Sequence, residues 1–137
     1  RANAAANGIA NARFIEGRVE RALPALAAEG VTFDVAVVDP PRAGCDPEVL
    51  RALAGETTGA DGAREAEGVS RLVYMSCNPA TLARDLAILL HLGYRTVEVQ
   101  PVDMFPHTHH VECVARIDTE NGSSSTCLSR ELTILQY

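Results

Sequence analysis

The 137-residue sequence has no apolar run approaching the ~18 residues that a membrane-spanning helix needs. Its opening stretch, RANAAANGIANARF, lacks the apolar core of a secretory signal. These two absences point to a cytoplasmic protein with no membrane partner. Positive charge is scarce as well: 12 Lys and Arg stand against 18 Asp and Glu, a net charge of -6. Such a balance gives no general electrostatic grip on nucleic acid, so any contact with RNA has to be local. Paired CxxC spacing is missing among the four cysteines, Cys45, Cys77, Cys113 and Cys127. That removes support for a zinc site or a disulfide framework and leaves four thiols to be judged singly, with the reduced state as the expectation. What remains is a composition ordinary for one folded domain, 47% apolar.

An Ala-rich helical stub ends at Asn7-Gly8, and ARFIEG follows as a short strand. VERALPALAAEG reads as a helix closed by Gly30. FDVAVVDPP is a continuous apolar run, as expected for a parallel strand buried on both faces and ended by two prolines. DPEVLRALAG is a helix with Asp46 as N-cap and Pro47 at its first position. The polar, Gly-rich stretch from Gly55 to Gly68 reads as a surface loop. SRLVYMSC is the next strand, and PATLARDLAILLHLG the next helix, capped by Asn78 and stopped near Gly93. YRTVEVQPVDMF and HHVECVARI both alternate and form an antiparallel pair. Residues 118–137 carry a Ser-rich stretch without a persuasive period and read as a tail, disordered or outside the fold, behind a domain at 1–117.

Strands alternating with helices indicate a doubly wound α/β fold with a parallel sheet and a closing antiparallel pair. Ligands in such sheets bind outside the carboxyl ends of the strands, so Asp39 and Cys77, which end successive strands, should face one crevice. A thiol just before a helix N-terminus meets the helix dipole and nearby amides, which favour a nucleophilic thiolate. A buried small hydrophobe is the competing reading of Cys77, and position by itself leaves the two even. His107, His109, His110 and Cys113 cluster at a loop-to-strand junction, where alternation sends neighbours to opposite faces, so a role in loop structure is expected there and no metal. Arg42 is open between contact with RNA, pairing with Asp39 and no function.

Three stretches taken together, DPPRAG (39–44), SCNPATLARDL (76–86) and PVDMFPHTHHVE (101–112), resemble the RNA uracil-5 methyltransferases, S-adenosylmethionine-dependent enzymes that form 5-methyluridine in tRNA and rRNA. The resemblance runs in order through most of Phe14 to Ile117. It implies a Rossmann-like methyltransferase sheet of order 3-2-1-4-5-7-6, a monomeric parent protein, S-adenosyl-L-methionine as cofactor and a flipped uridine of tRNA or rRNA as target. It further implies that Cys77 is the nucleophile, Glu112 the general base and Asp39 an acidic position at the cofactor and target-base pocket. These residue types suit the reaction. Carbon 5 of uracil becomes a nucleophile only after a thiolate adds to carbon 6, and the methylated adduct needs a positioned base to remove the carbon 5 proton.

The sequence also departs from that family. The glycine-rich first strand and turn are absent, as is the acidic residue that closes the second strand. So are the preceding RNA-binding domains, among them an OB-like module and, in some relatives, an iron-sulfur cluster. Arg18 stands where many relatives carry an acidic contact to the adenine. These departures make the chain read as the carboxyl-terminal part of a catalytic domain without its first two strands. The strand at 33–39 is then expected to be an open apolar edge that aggregates or pairs with ARFIEG, and the isolated chain to bind the cofactor weakly. A non-catalytic remnant or RNA-associating module is the alternative.

Overall fold

A computed structural model describes residues 2–56, 68–108, 110–120 and 132–135. Helix α1 (Ala2–Ala6) leads into strand β1 (Ala12–Ile15) and helix α2 (Val19–Ala28). Strand β2 (Val35–Val38), helix α3 (Pro47–Leu53), strand β3 (Arg71–Ser76) and helix α4 (Pro79–His91) follow, and then strands β4 (Tyr94–Val102), β5 (Glu112–Thr119) and β6 (Leu132–Leu135). Two helix starts use the capping chemistry visible in the sequence. The Asp46 side chain accepts from Glu48 N at 2.9 Å and that of Asn78 from Ala80 N at 3.1 Å, each with a proline at the first helical position.

One sheet runs in the order β2-β3-β5-β4, parallel between β2 and β3 and antiparallel from β3 through β5 to β4. This is the 4-5-7-6 half of the order that the resemblance implied. Alternation along the strands defines its two faces. Val38, Leu72, Tyr74, Cys113, Ala115 and Ile117 turn to a core completed by Val19 and Leu23 of α2, Val49, Leu50 and Leu53 of α3, and Leu82 and Leu89 of α4. Tyr94 closes the lower end of that core, its hydroxyl donating to Val69 O at 2.6 Å.

Three expectations need correction. The strand at β2 is not buried on both faces: Val35 is 39% and Val37 64% exposed. β2 has a strand neighbour on one side only, and the described helices pack on the face of Val38. Nor does ARFIEG pair with β2. Instead β1 pairs in parallel with β6, a strand in the region read as a tail. β5 likewise continues past residue 117 to Thr119, because Asp118 and Thr119 still have cross-strand partners in Arg71 and Tyr94. Residues 57–67 of the expected surface loop and 121–131 of the expected tail, Cys127 included, lie outside the described residues.

At the end of the sheet where β3 begins, Asp118 takes Arg71 Nε at 2.8 Å and Arg71 Nη2 at 3.2 Å, and Arg116 Nη2 also at 3.2 Å. These hydrogen bonds, led by Arg71, hold the Asp118 carboxyl below its ordinary 3.8 despite its burial. A depressed folded value means that the stabilisation is complete above the ordinary carboxylate range and is lost as pH falls through the depressed value. Both arginines are about half exposed, so solvent screening holds the contribution to about 1 kcal/mol. Asp118→Asn is therefore expected to lower the urea midpoint at pH 7, with the difference from the parent chain vanishing as the pH is taken below the carboxylate range. A difference independent of pH would exclude the ion pair as its source.

Candidate functional site

The register of β3 on β5 brings the two candidate catalytic residues to the same end of the sheet. Ser76 is opposite Cys113 in the last rung of the antiparallel ladder, and Cys77 and Glu112 are the residues that adjoin that rung on the same side. Both are partly buried. The parallel register of β2 on β3 pairs Val38 with Tyr74, so Asp39, exposed, stands level with Met75, two residues before Cys77. Residues in register share a face of the sheet. Asp39, Cys77 and Glu112 are thus each one residue beyond a buried strand position, Val38, Ser76 and Cys113, at the end of the sheet where β2 and β3 finish and β5 begins.

The nucleophile candidate sits on a bend tied by its neighbours. Ser76 Oγ accepts from Asn78 N at 3.1 Å and donates to Asn78 O at 3.0 Å, so Cys77 occupies the apex between two residues bonded across it. Asn78 then caps α4. A cysteine here is neither in the ladder nor in the helix, and its side chain is spared from both.

The loop after β2 is fastened to α4 along its length. Arg42 O accepts from Asn78 Nδ2 and Thr81 Oγ1, each at 3.2 Å. Arg84 Nη2 donates to Ala43 O at 2.9 Å and to Cys45 O at 3.3 Å. Cys45 N donates to Asp85 Oδ2 at 2.8 Å, and Tyr74 Oη donates to the same oxygen. Burial first, and that hydrogen bond second, push the Tyr74 hydroxyl far above its ordinary range, which keeps it a donor. Between these contacts Gly44 adopts φ +84, and a Cβ there would stand 2.5 Å from Arg84 Nη2 and 2.6 Å from Asp85 Oδ2. The glycine of DPPRAG is therefore demanded twice, by backbone conformation and by the ion pair beneath it.

Arg42 does not pair with Asp39. Its Nη2 lies 3.0 Å from His110 Nδ1, and because a guanidinium can only donate, this ring nitrogen is the acceptor. The contact joins the loop after β2 to the loop before β5. In the latter, His107 takes a positive φ of 65°, Thr108 Oγ1 donates to Phe105 O at 2.7 Å, and Phe105 meets the His110 ring edge-on at 6.4 Å. These contacts give the described histidines places in loop structure, and His109 lies outside the described residues. The sequence reading missed Ser76, Tyr74, Arg84 and Asp85. One signal for Asp85 was present: it falls between Leu82 and Leu89 on the buried stripe of α4, where a solvated carboxylate does not belong.

A family model described as tRNA (Uracil-5-)-methyltransferase matches residues 5–119. The chain belongs to this family. An uncharacterised RNA methyltransferase from Caldanaerobacter subterraneus subsp. tengcongensis is 53% identical over 116 residues, covering 85% of this chain and 23% of the relative. The chain thus spans about a quarter of the length of the curated relatives it matches. Among solved structures, the M1.HpyAVI–SAM complex aligns over 92% of this chain and 64% of that one, with a TM-score of 0.58 at 12% identity, a likeness of fold. The Pyrococcus abyssi tRNA (uracil-54, C5)-methyltransferase complex with S-adenosyl-L-homocysteine is 45% identical and covers 63% of this chain and 18% of that chain, with a TM-score of 0.49. As a methyltransferase sheet the chain is Rossmann-like, and none of its described helices is long and apolar enough to cross a membrane.

For this methyltransferase-family chain, Gly44→Ala is expected to cost on the order of 3 kcal/mol, combining a left-handed backbone with displacement of Arg84 and Asp85. Gly93→Ala provides the comparison. Gly93 has φ +87 with nothing within 4 Å of an added Cβ, so only the backbone cost of about 1 kcal/mol applies. Urea unfolding of the two variants measures the difference, and equal losses would show that the ion pair does not press on Gly44.

Proposed function

We propose that the chain supplies the catalytic carboxyl-terminal part of an S-adenosylmethionine-dependent RNA (uracil-5-)-methyltransferase acting on a uridine of tRNA or rRNA. The observation that supports this reading is that a bend cysteine and a strand-end glutamate adjoin the Ser76–Cys113 rung at the same end of the sheet, in a chain that belongs to the tRNA (Uracil-5-)-methyltransferase family. A stacked, paired uridine is out of reach, so the base must be flipped into the crevice at a cost of a few kcal/mol. Cys77 then adds as thiolate to carbon 6, forming the C–S bond and moving the carbon 5–carbon 6 electron pair into an enolate that makes carbon 5 nucleophilic. Glu112 takes the carbon 5 proton after methylation. The carbon 5–carbon 6 double bond re-forms and the Cys77 thiolate leaves, restoring the enzyme.

The residues present fit one side of a cofactor site. Asp39 offers an exposed carboxylate where β2 ends, suited to the positively charged amino group or to an N–H of the adenine. No glycine-rich turn occurs in the sequence. S-adenosylmethionine, when bound, supplies an electrophilic methyl group. Asp39 would hold and orient it from the β2 side, next to the proline-ended loop that α4 keeps in place.

In the full-length protein, Cys77→Ala is expected to abolish methyl transfer to a tRNA or rRNA transcript while RNA binding persists. Retention of a substantial fraction of the rate would remove Cys77 as nucleophile. Glu112→Gln should still allow attack and methylation but not release, so RNA stays joined to Cys77 and migrates as a slow band on a denaturing gel. Normal turnover without a trapped band would take Glu112 out of the mechanism.

A further inference from the structure

Asp85 touches neither the crevice nor the open edge of the sheet, yet its side chain is 0% exposed, on the buried face of α4. Burying a charge is costly unless its partners are well placed, and an apolar residue there would simply continue the stripe of Leu82 and Leu89. All its partners belong to the structures that carry the proposed catalytic groups. Oδ1 takes Arg84 Nε at 2.8 Å and Arg84 Nη2 at 2.7 Å. Oδ2 takes Cys45 N at 2.8 Å and the hydroxyl of Tyr74, on the strand that ends beside Cys77. Arg84, oriented by that pairing, holds Ala43 O and Cys45 O. One carboxylate thus fixes β3, α4 and the turn after Asp39 against one another.

We infer that Asp85 is a positioning residue for methyl transfer, keeping the Asp39–Cys45 loop locked to the Cys77–α4 junction so that Asp39 and Cys77 face the same crevice. This role rests on Cys77 being the nucleophile. Loss of the carboxylate charge leaves Arg84 without its anchor and weakens the bond from Cys45 N, whose other acceptor is the Tyr74 hydroxyl at 3.2 Å, so the loop can drift from α4 while the apolar core persists. Drift of a loop by about an ångström is enough to cost on the order of 10²-fold in rate.

The test uses the full-length protein with S-adenosylmethionine and a tRNA transcript carrying 5-fluorouridine. Fluorine replaces the carbon 5 proton that the base removes, so the covalent adduct accumulates and its single-turnover rate can be read on denaturing gels. Asp85→Asn is expected to slow adduct formation on the order of 10²-fold at saturating RNA, with RNA affinity unchanged. Asp118→Asn removes another buried, arginine-paired carboxylate far from the crevice, and should leave the adduct rate within about twofold of the unsubstituted protein. That contrast separates positioning from general destabilisation. Tyr74→Phe removes the donor to Asp85 and an acceptor of Cys45 N and should slow the adduct several-fold, and it decides the matter where Asp85→Asn fails to fold. An Asp85→Asn rate matching that of Asp118→Asn overturns the inference, as does an unchanged rate in Tyr74→Phe. Absence of any adduct with the unsubstituted protein would instead refute the cysteine chemistry, and this role with it.

Discussion

The arrangement of this chain depends on the carboxylate of Asp85. It draws donors from a strand hydroxyl, a backbone amide of the loop after β2 and the guanidinium next to it on α4. The fastenings that Arg84 makes to that loop are built around this group. Arg84 is oriented by it, Gly44 is shaped by the space it leaves, and Asn78 and Thr81 extend the same contact surface one turn toward the cap of α4. Apolar packing brings the helices onto the sheet, but it is non-directional. A buried charge with directional partners specifies one arrangement of the loop on the helix.

Pleat parity is the second constraint. Strands β2, β3 and β5 turn their large apolar side chains to the helices, so the residues continuing each strand with the opposite parity collect on the other face. Asp39, Cys77 and Glu112 come from three separate stretches and are brought to the same end of the sheet by the registers of β2, β3 and β5. Arg42 and His110 add a link between the loops on either side of them.

Much of this was legible in the residues. Asp46-Pro47 and Asn78-Pro79 announce their helices because capping and the proline preference at the first helical position are local effects, and the alternation of β4 and β5 is equally local. The candidate site residues could be named from motif and position, but the end of the sheet they share could not, since it depends on the cross-strand register. Asp85 was overlooked because a lone acid in an amphipathic helix looks solvated until Tyr74 and Cys45 N are placed beside it. β6 escaped for a different reason: LTIL is four residues long, and its partner β1 lies more than a hundred residues earlier in the chain. The bare face of β2 was hidden because an apolar run looks the same whether it is covered or bare, whereas its place at the edge of the sheet was expected from the strand order the resemblance implied.

The bend at Cys77 has a bearing on what the sequence tolerates. Ser76 closes a hydrogen-bonded ring onto Asn78, and Asn78 in turn caps α4, so two residues, Cys77 and Asn78, are counted off between the last rung of the ladder and the first helical turn. A single inserted or deleted residue within this count would break the Ser76–Asn78 ring and uncouple strand from helix. The segment is therefore conservative in length before it is conservative in chemistry, and variation in this part of the molecule should come as substitutions and not as gaps.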